Sequence, residues 1–149
     1  MKNLLYIMAL LVSCNTYAEC LLETNQDEEL SLELEKKGWN FQKYDELCQK
    51  LKAANAGIQI SQVGMITQYQ TTVSTSVFLY PLELEKKYNQ RFLSQRGFYA
   101  IASNPVRTTE MQKGLKHINA NYALNSLITD GGLPEMLNNI DKIRKVLKP

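Results

Sequence analysis

The sequence predicts an α+β fold, with several short helices packed on a small antiparallel sheet and one disulfide holding the chain. Three observations carry this. Apolar residues recur at three- and four-residue steps in several separate stretches. Residues 58–80 instead alternate at two-residue spacing and are rich in β-branched side chains. Cys20 and Cys48 are the only cysteines beyond an apolar N-terminal run, an even number at a spacing that suits a staple.

That N-terminal run sets the expected address. Met1-Lys2-Asn3 places one positive charge before the uncharged stretch Leu4 to Val12, the pattern of a secretory signal segment. The stretch gives out at Ser13-Cys14-Asn15, short of the roughly 20 apolar residues that a transmembrane helix needs. Thr16-Tyr17-Ala18 before Glu19 offers small residues to a signal peptidase, so residues 1–18 read as a signal peptide and 19–149 as a single compact periplasmic domain. Leu11-Val12-Ser13-Cys14 also resembles a bacterial lipobox; lipidation of Cys14 would give an outer-membrane-tethered lipoprotein instead. Either route delivers Cys20 and Cys48 to an oxidising compartment, where pairing is expected.

The elements follow in order. Thr24 with Asp27 three residues later predicts a helix start, with Leu30 and Leu34 on its stripe and Gly38 at its end. Asn40 is placed to cap a second helix, in which Phe41, Tyr44, Leu47, Cys48 and Leu51 share a face; Cys48 should therefore point at the core. After Gly57 the alternation of Ile58 and Ile60, then Val63 and Met65, then Val73, Thr75, Val77 and Leu79 predicts an antiparallel hairpin. The apolar parity changes between Ile60 and Val63 beside Gly64, which predicts a bulge or an extra turn, and the reversal is expected near Tyr69-Gln70-Thr71-Thr72.

Pro81 is placed to open a helix with Leu84, Tyr88 and Phe92, ended by Gly97; periodicity leaves residues 97–102 open between strand and helix. Thr109 with Gln112 predicts a cap for a helix with Met111, Leu115, Ile118 and Tyr122 on one stripe, stopped by Asp130-Gly131-Gly132. Pro134 then starts a last helix carrying Leu137, Ile140, Ile143 or Arg144, and Leu147. Leu-Glu-Leu-Glu-Lys-Lys occurs at both 32–37 and 82–87, but the flanking patterns diverge, so a duplicated unit is not expected.

Charge and motif content exclude several functions. The formal net charge of the whole chain is +2, too weak a balance to expect nucleic acid as a partner. Acids gather at residues 19–35 and bases at Lys142, Arg144, Lys145 and Lys148, a distribution that suits helix dipoles; a contact of the basic tail with anionic headgroups is the sharper alternative. His117 is the only histidine, so no metal site or cofactor is expected, and no Gly-x-Ser-x-Gly elbow supplies a nucleophile that it could serve. Phosphate-binding loops and EF-hand spacing are missing, and Glu33, Glu35, Glu83 and Glu85 lie in patterns that suit solvated helix faces better than a glycosidase pair. No catalytic residues are assigned.

What remains is the uncharged stretch from Gly57 to Tyr80, whose polar residues are all hydroxyls and amides. No lysine, proline or inward charge guards this segment as a sheet edge, so either other elements of the chain cover it, the ordinary case, or a partner does, by strand addition or as a polar polymer such as peptidoglycan; on the second reading Gln68, Tyr69, Thr71 and Thr75 are candidate partner-binding residues. Trp39, in a cluster with Phe41 and Tyr44, is a further candidate anchor. The expected function is a non-enzymatic periplasmic binding module of inhibitor, immunity or assembly-factor type, with another envelope protein as partner. The alternatives are a structural lipoprotein and a small cell-wall hydrolase with an unrecognised site.

Overall fold

The computed structural model describes residues 20–147. The leader, the cleavage point after Ala18 and Cys14 lie outside these residues. The elements run β1 (Thr24–Asn25), α1 (Glu28–Lys37), α2 (Tyr44–Ala53), β2 (Ala56–Ile66), β3 (Thr71–Pro81), α3 (Leu82–Tyr88), β4 (Phe98–Asn104), α4 (Thr109–Thr129) and α5 (Gly132–Leu147). The strands form one sheet in the order β1-β2-β3-β4. The three long strands are antiparallel neighbours, as expected, and residues 98–104 resolve the open choice in favour of strand. The short β1 adds to β2 in parallel, which makes the sheet mixed; a two-residue strand leaves no periodic signal to read.

Alternation decides where the core sits. On β3, Thr71, Val73, Thr75, Val77 and Leu79 are all fully buried, while the residues between them from Thr72 to Phe78 are only partly so. The buried parity packs with Ile58 and Ile60 of β2 and Ala100 of β4 beneath Ala120, Ala123, Leu124 and Leu127 of α4. Leu47 and Leu51 of α2 and Leu133, Met136 and Ile140 of α5 complete one continuous cluster. All of this helical cover lies on one side of the sheet, so the fold is a two-layer sandwich with a single core.

The staple forms as expected: Cys20 and Cys48 are disulfide-bonded, with Cα atoms 6.0 Å apart, and Cys48 is buried on the inner face of α2. Tyr44, one turn earlier on α2, donates from its hydroxyl to the Cys20 carbonyl at 2.9 Å, so the N-terminal segment is held at two points.

Several local expectations are corrected. Asp27 caps α1 by accepting from Leu30 N at 2.8 Å, while Thr24 belongs to β1. Asn40 does not cap α2, which starts at Tyr44; its N–H is taken by Asn121 Oδ1 of α4. Thr108, one residue before the expected cap, holds the start of α4. Helix α3 stops at Asn89, in left-handed geometry, so Phe92 lies beyond it. The hairpin has no bulge: β2 and β3 pair in unbroken register from Ala56 opposite Pro81 to Ile66 opposite Thr71. It reverses through Thr67–Gln70, where the Thr67 hydroxyl accepts from the N–H groups of Tyr69 and Gln70 and so closes the turn without a glycine.

Two glycines serve the outer side of the sheet. A Cβ on Gly57 would lie 2.4 Å from the Tyr80 ring, and one on Gly97 would lie 2.5 Å from the Phe78 ring. Each aromatic ring therefore lies across its glycine neighbour, covering backbone that no other side chain shields.

Candidate functional site

An unbroken register has a direct consequence for Val63 and Met65. Without a bulge to turn them inward they stay on the outer parity of β2, where they are 73% and 59% exposed. The same side of β4 carries Tyr99 and Ile101, 64% and 71% exposed. Ser74 stands between Val63 and Ile101, and Ser76 between Ser61 and Tyr99, so the strands lay out alternating rows of hydroxyls and apolar groups. From Ser61 to Met65, Thr72 to Phe78 and Tyr99 to Ser103, every outward side chain is uncharged.

Local bonds hold this face in shape. The Tyr99 ring meets Phe78 edge-on at 6.0 Å between centroids, and Thr72 and Ser103 share a hydroxyl hydrogen bond of 3.1 Å. One end is closed: Tyr80 is buried, with the Arg91 guanidinium 5.5 Å above its ring and Glu85 paired to Arg91 at 2.7 Å. Burial there raises the Tyr80 pKa above its ordinary value, so the phenol is neutral at any physiological pH. The other end is open at the hairpin tip. The result is a broad, uncharged surface that mixes hydroxyl and apolar groups.

The residues singled out from sequence fall in different places. Cys20 and Cys48 form the disulfide. Tyr69, 76% exposed, and Gln68 stand at the hairpin tip, where Arg107 donates to the Gln68 carbonyl. Thr71 and Thr75 are corrected: both are fully buried on the inner parity, Thr71 donating to the Val106 carbonyl and Thr75 accepting from Asn119 and Gln62. Their hydroxyls are used inside the molecule, and Ser61, Thr72, Ser74 and Ser103 provide the outward ones. Trp39 packs partly buried against the core, edge-on to Phe41 at 6.2 Å, as part of the aromatic cluster.

His117 is 8% exposed, and its Nε2 lies 2.9 Å from the Gly38 carbonyl, a contact that requires the proton on that nitrogen. It fastens α4 to the turn after α1, beside a crevice of about 340 Å³ that also touches Asn40 and Asn121. The amide of Asn121 is bonded to Asn40 N and the His117 carbonyl, so these polar groups hold the loop rather than await a ligand. Arg144, expected on either the inner face or a basic tail, turns inward to Glu83, Asp141 and the Ala54 carbonyl. No cluster of three or more His, Cys, Asp or Glu side chains that could hold a metal occurs among the described residues.

Sequence reasoning missed Val63, Met65, Tyr99 and Ile101 as a surface. The signal is apolar residues at odd positions of both β2 and β4, on one side of the sheet with the β3 serines between them. Apolar alternation points to the core by default, so the same residues predict a bulge or an extra turn.

No protein-family model, no curated protein and no solved structure matches this chain.

Proposed function

We propose that this chain is a non-enzymatic binding module of the bacterial envelope, exported by a cleaved leader to the periplasm, where its open sheet face docks another envelope protein. The observation that carries the reading is the uncharged outer face bearing Val63, Met65, Tyr99 and Ile101, large apolar groups held in water on a rigid scaffold. Four large apolar groups exposed on one uncharged face, in two rows with the β3 serines between them, suit the surface of a partner better than solvent. The disulfide supports an oxidising compartment, and no helix among the described residues is long and apolar enough to cross a membrane.

A photo-reactive amino acid at Met65 in intact cells tests the reading. It should form an adduct with a discrete envelope protein, and the same label at exposed Lys145 should not. Val63→Asp should abolish the Met65 adduct while leaving the melting temperature unchanged, because Val63 is mostly in solvent. Equal labelling from both positions, or an adduct indifferent to Val63→Asp, would remove the docking face. Intact mass should place the N-terminus at Glu19; acyl mass on Cys14 would replace the periplasmic form with a lipoprotein.

A further inference from the structure

Among the described residues strand β4 ends the sheet, and one of its edges has no strand beside it. The ladder fixes which groups that edge presents. Ser94 N donates to the Leu79 carbonyl and Leu79 N donates to Ser94 Oγ, so Leu79 turns its main-chain groups towards the β4 side. With a period of two, Val77, Thr75 and Val73 do the same, and their partners Phe98, Ala100 and Ala102 face back to β3. The N–H and C=O groups of Tyr99, Ile101 and Ser103 are left pointing out of the sheet.

Soluble proteins guard such edges with charge, proline, a bulge or a very short strand. Strand β4 has none of these: it runs seven residues, Phe98–Asn104, in continuous register, without a charged residue or proline. Helix α4 packs on its inner face, and Tyr99, Ile101 and Ser103 are exposed.

We propose that this edge pairs with the same edge of a second copy, antiparallel about Ile101. The strand is its own complement under a two-fold axis. Ile101 meets Ile101 of the second copy, Tyr99 meets Ser103, and the outward groups exchange roughly six main-chain hydrogen bonds. Every side chain so opposed is uncharged, so pairing brings no like charges together. The sheet becomes continuous across both copies and sets two open faces side by side. The inference stands on main-chain geometry and does not need the docking role proposed above.

Sedimentation of the full chain from micromolar to millimolar concentration tests it, alongside Ile101→Pro and Val63→Asp. The Ile101 N–H takes no part in the ladder to β3, so proline there removes an edge donor without taking a bond from that ladder. A reversible dimer is expected, weakened about tenfold or more by Ile101→Pro and unchanged by Val63→Asp. A chain monomeric throughout, or an Ile101→Pro variant that associates like the parent, would overturn the proposal. Should Ile101→Pro fail to fold, amide exchange on the unaltered chain decides: protection at Tyr99, Ile101 and Ser103 must rise with concentration, and protection independent of concentration would overturn it.

Discussion

Asn119 sits where α4 crosses the sheet, 1% exposed, and its amide donates to the Val73 carbonyl, Thr75 Oγ1 and the Ala100 carbonyl. An amide this deep among Ala120, Ala123 and Leu124 is tolerable only because its donors are satisfied. Asn119→Leu, of similar size, takes one bond from each of these acceptors, while Thr75 Oγ1 keeps Gln62 and the two carbonyls keep the β3–β4 ladder, and should lower stability by about 1 kcal/mol in urea unfolding; a loss near zero would show that the amide is not bonded as described. Glu83 works at the periphery. Burial acts to raise its pKa, but hydrogen bonds from Arg144, reinforced by Asn55, outweigh this and hold it below the ordinary 4.5. A carboxyl whose folded value is depressed adds stability above its unfolded pKa and loses it as pH falls through the folded one. The melting-temperature gap between the parent and Glu83→Gln should therefore be open at neutral pH and close well below pH 4.5. A gap that persists in acid would assign the effect to packing. Neither role was legible beforehand, since a lone Asn or Glu on a helix carries no mark of what a distant strand or helix will offer it.

Helices and strands show most plainly where local sequence stops deciding. Leu-Glu-Leu-Glu-Lys-Lys is helical in both α1 and α3, so its intrinsic propensity is expressed twice. In α1 it is Glu33 of the repeat that is most buried, paired to Lys37 at 2.6 Å, and Leu32 is 47% exposed; in α3 it is Leu84 that is buried. Neighbouring elements choose the inward face. Helix α4 gives the same lesson: Ile118 and Tyr122 of its expected stripe are about 60% exposed, and Ala120, Ala123, Leu124 and Leu127 face the core instead. Its start is tied across to α1 by Lys116, whose ammonium is bonded to Asp27 and Glu29; burial works against that charge, but the two carboxylates outweigh it and raise its pKa. The disulfide is a further tie, closing a loop of sequence separation 28 between the N-terminal segment and α2. Replacing both cysteines by serine should cost about 3–4 kcal/mol on the loop-entropy estimate, read as a lowered urea midpoint. A midpoint unmoved by the double replacement would mean that the Tyr44 bond and the packing of Leu22 hold that segment unaided.

At the scale of the whole molecule, α2, α4 and α5 pack on one side of the sheet and leave much of the other side to solvent, which creates the candidate docking face, while the strand order leaves the β4 edge without a neighbour among the described residues. The α+β class, the hairpin, the inward face of α2 and the Cys20–Cys48 pairing were readable from the chain, because period and cysteine count are local properties that survive in the fold. The direction in which Val63 and Met65 point, the inward burial of Thr71 and Thr75, the addition of β1 and the unpaired edge were decided only by tertiary structure. Their physical reason is common to all: on a pleated strand the two sides are chemically equivalent until something packs against one of them, and what packs here comes from α2, α4 and α5, elements distant in sequence from the residues they hide or leave exposed.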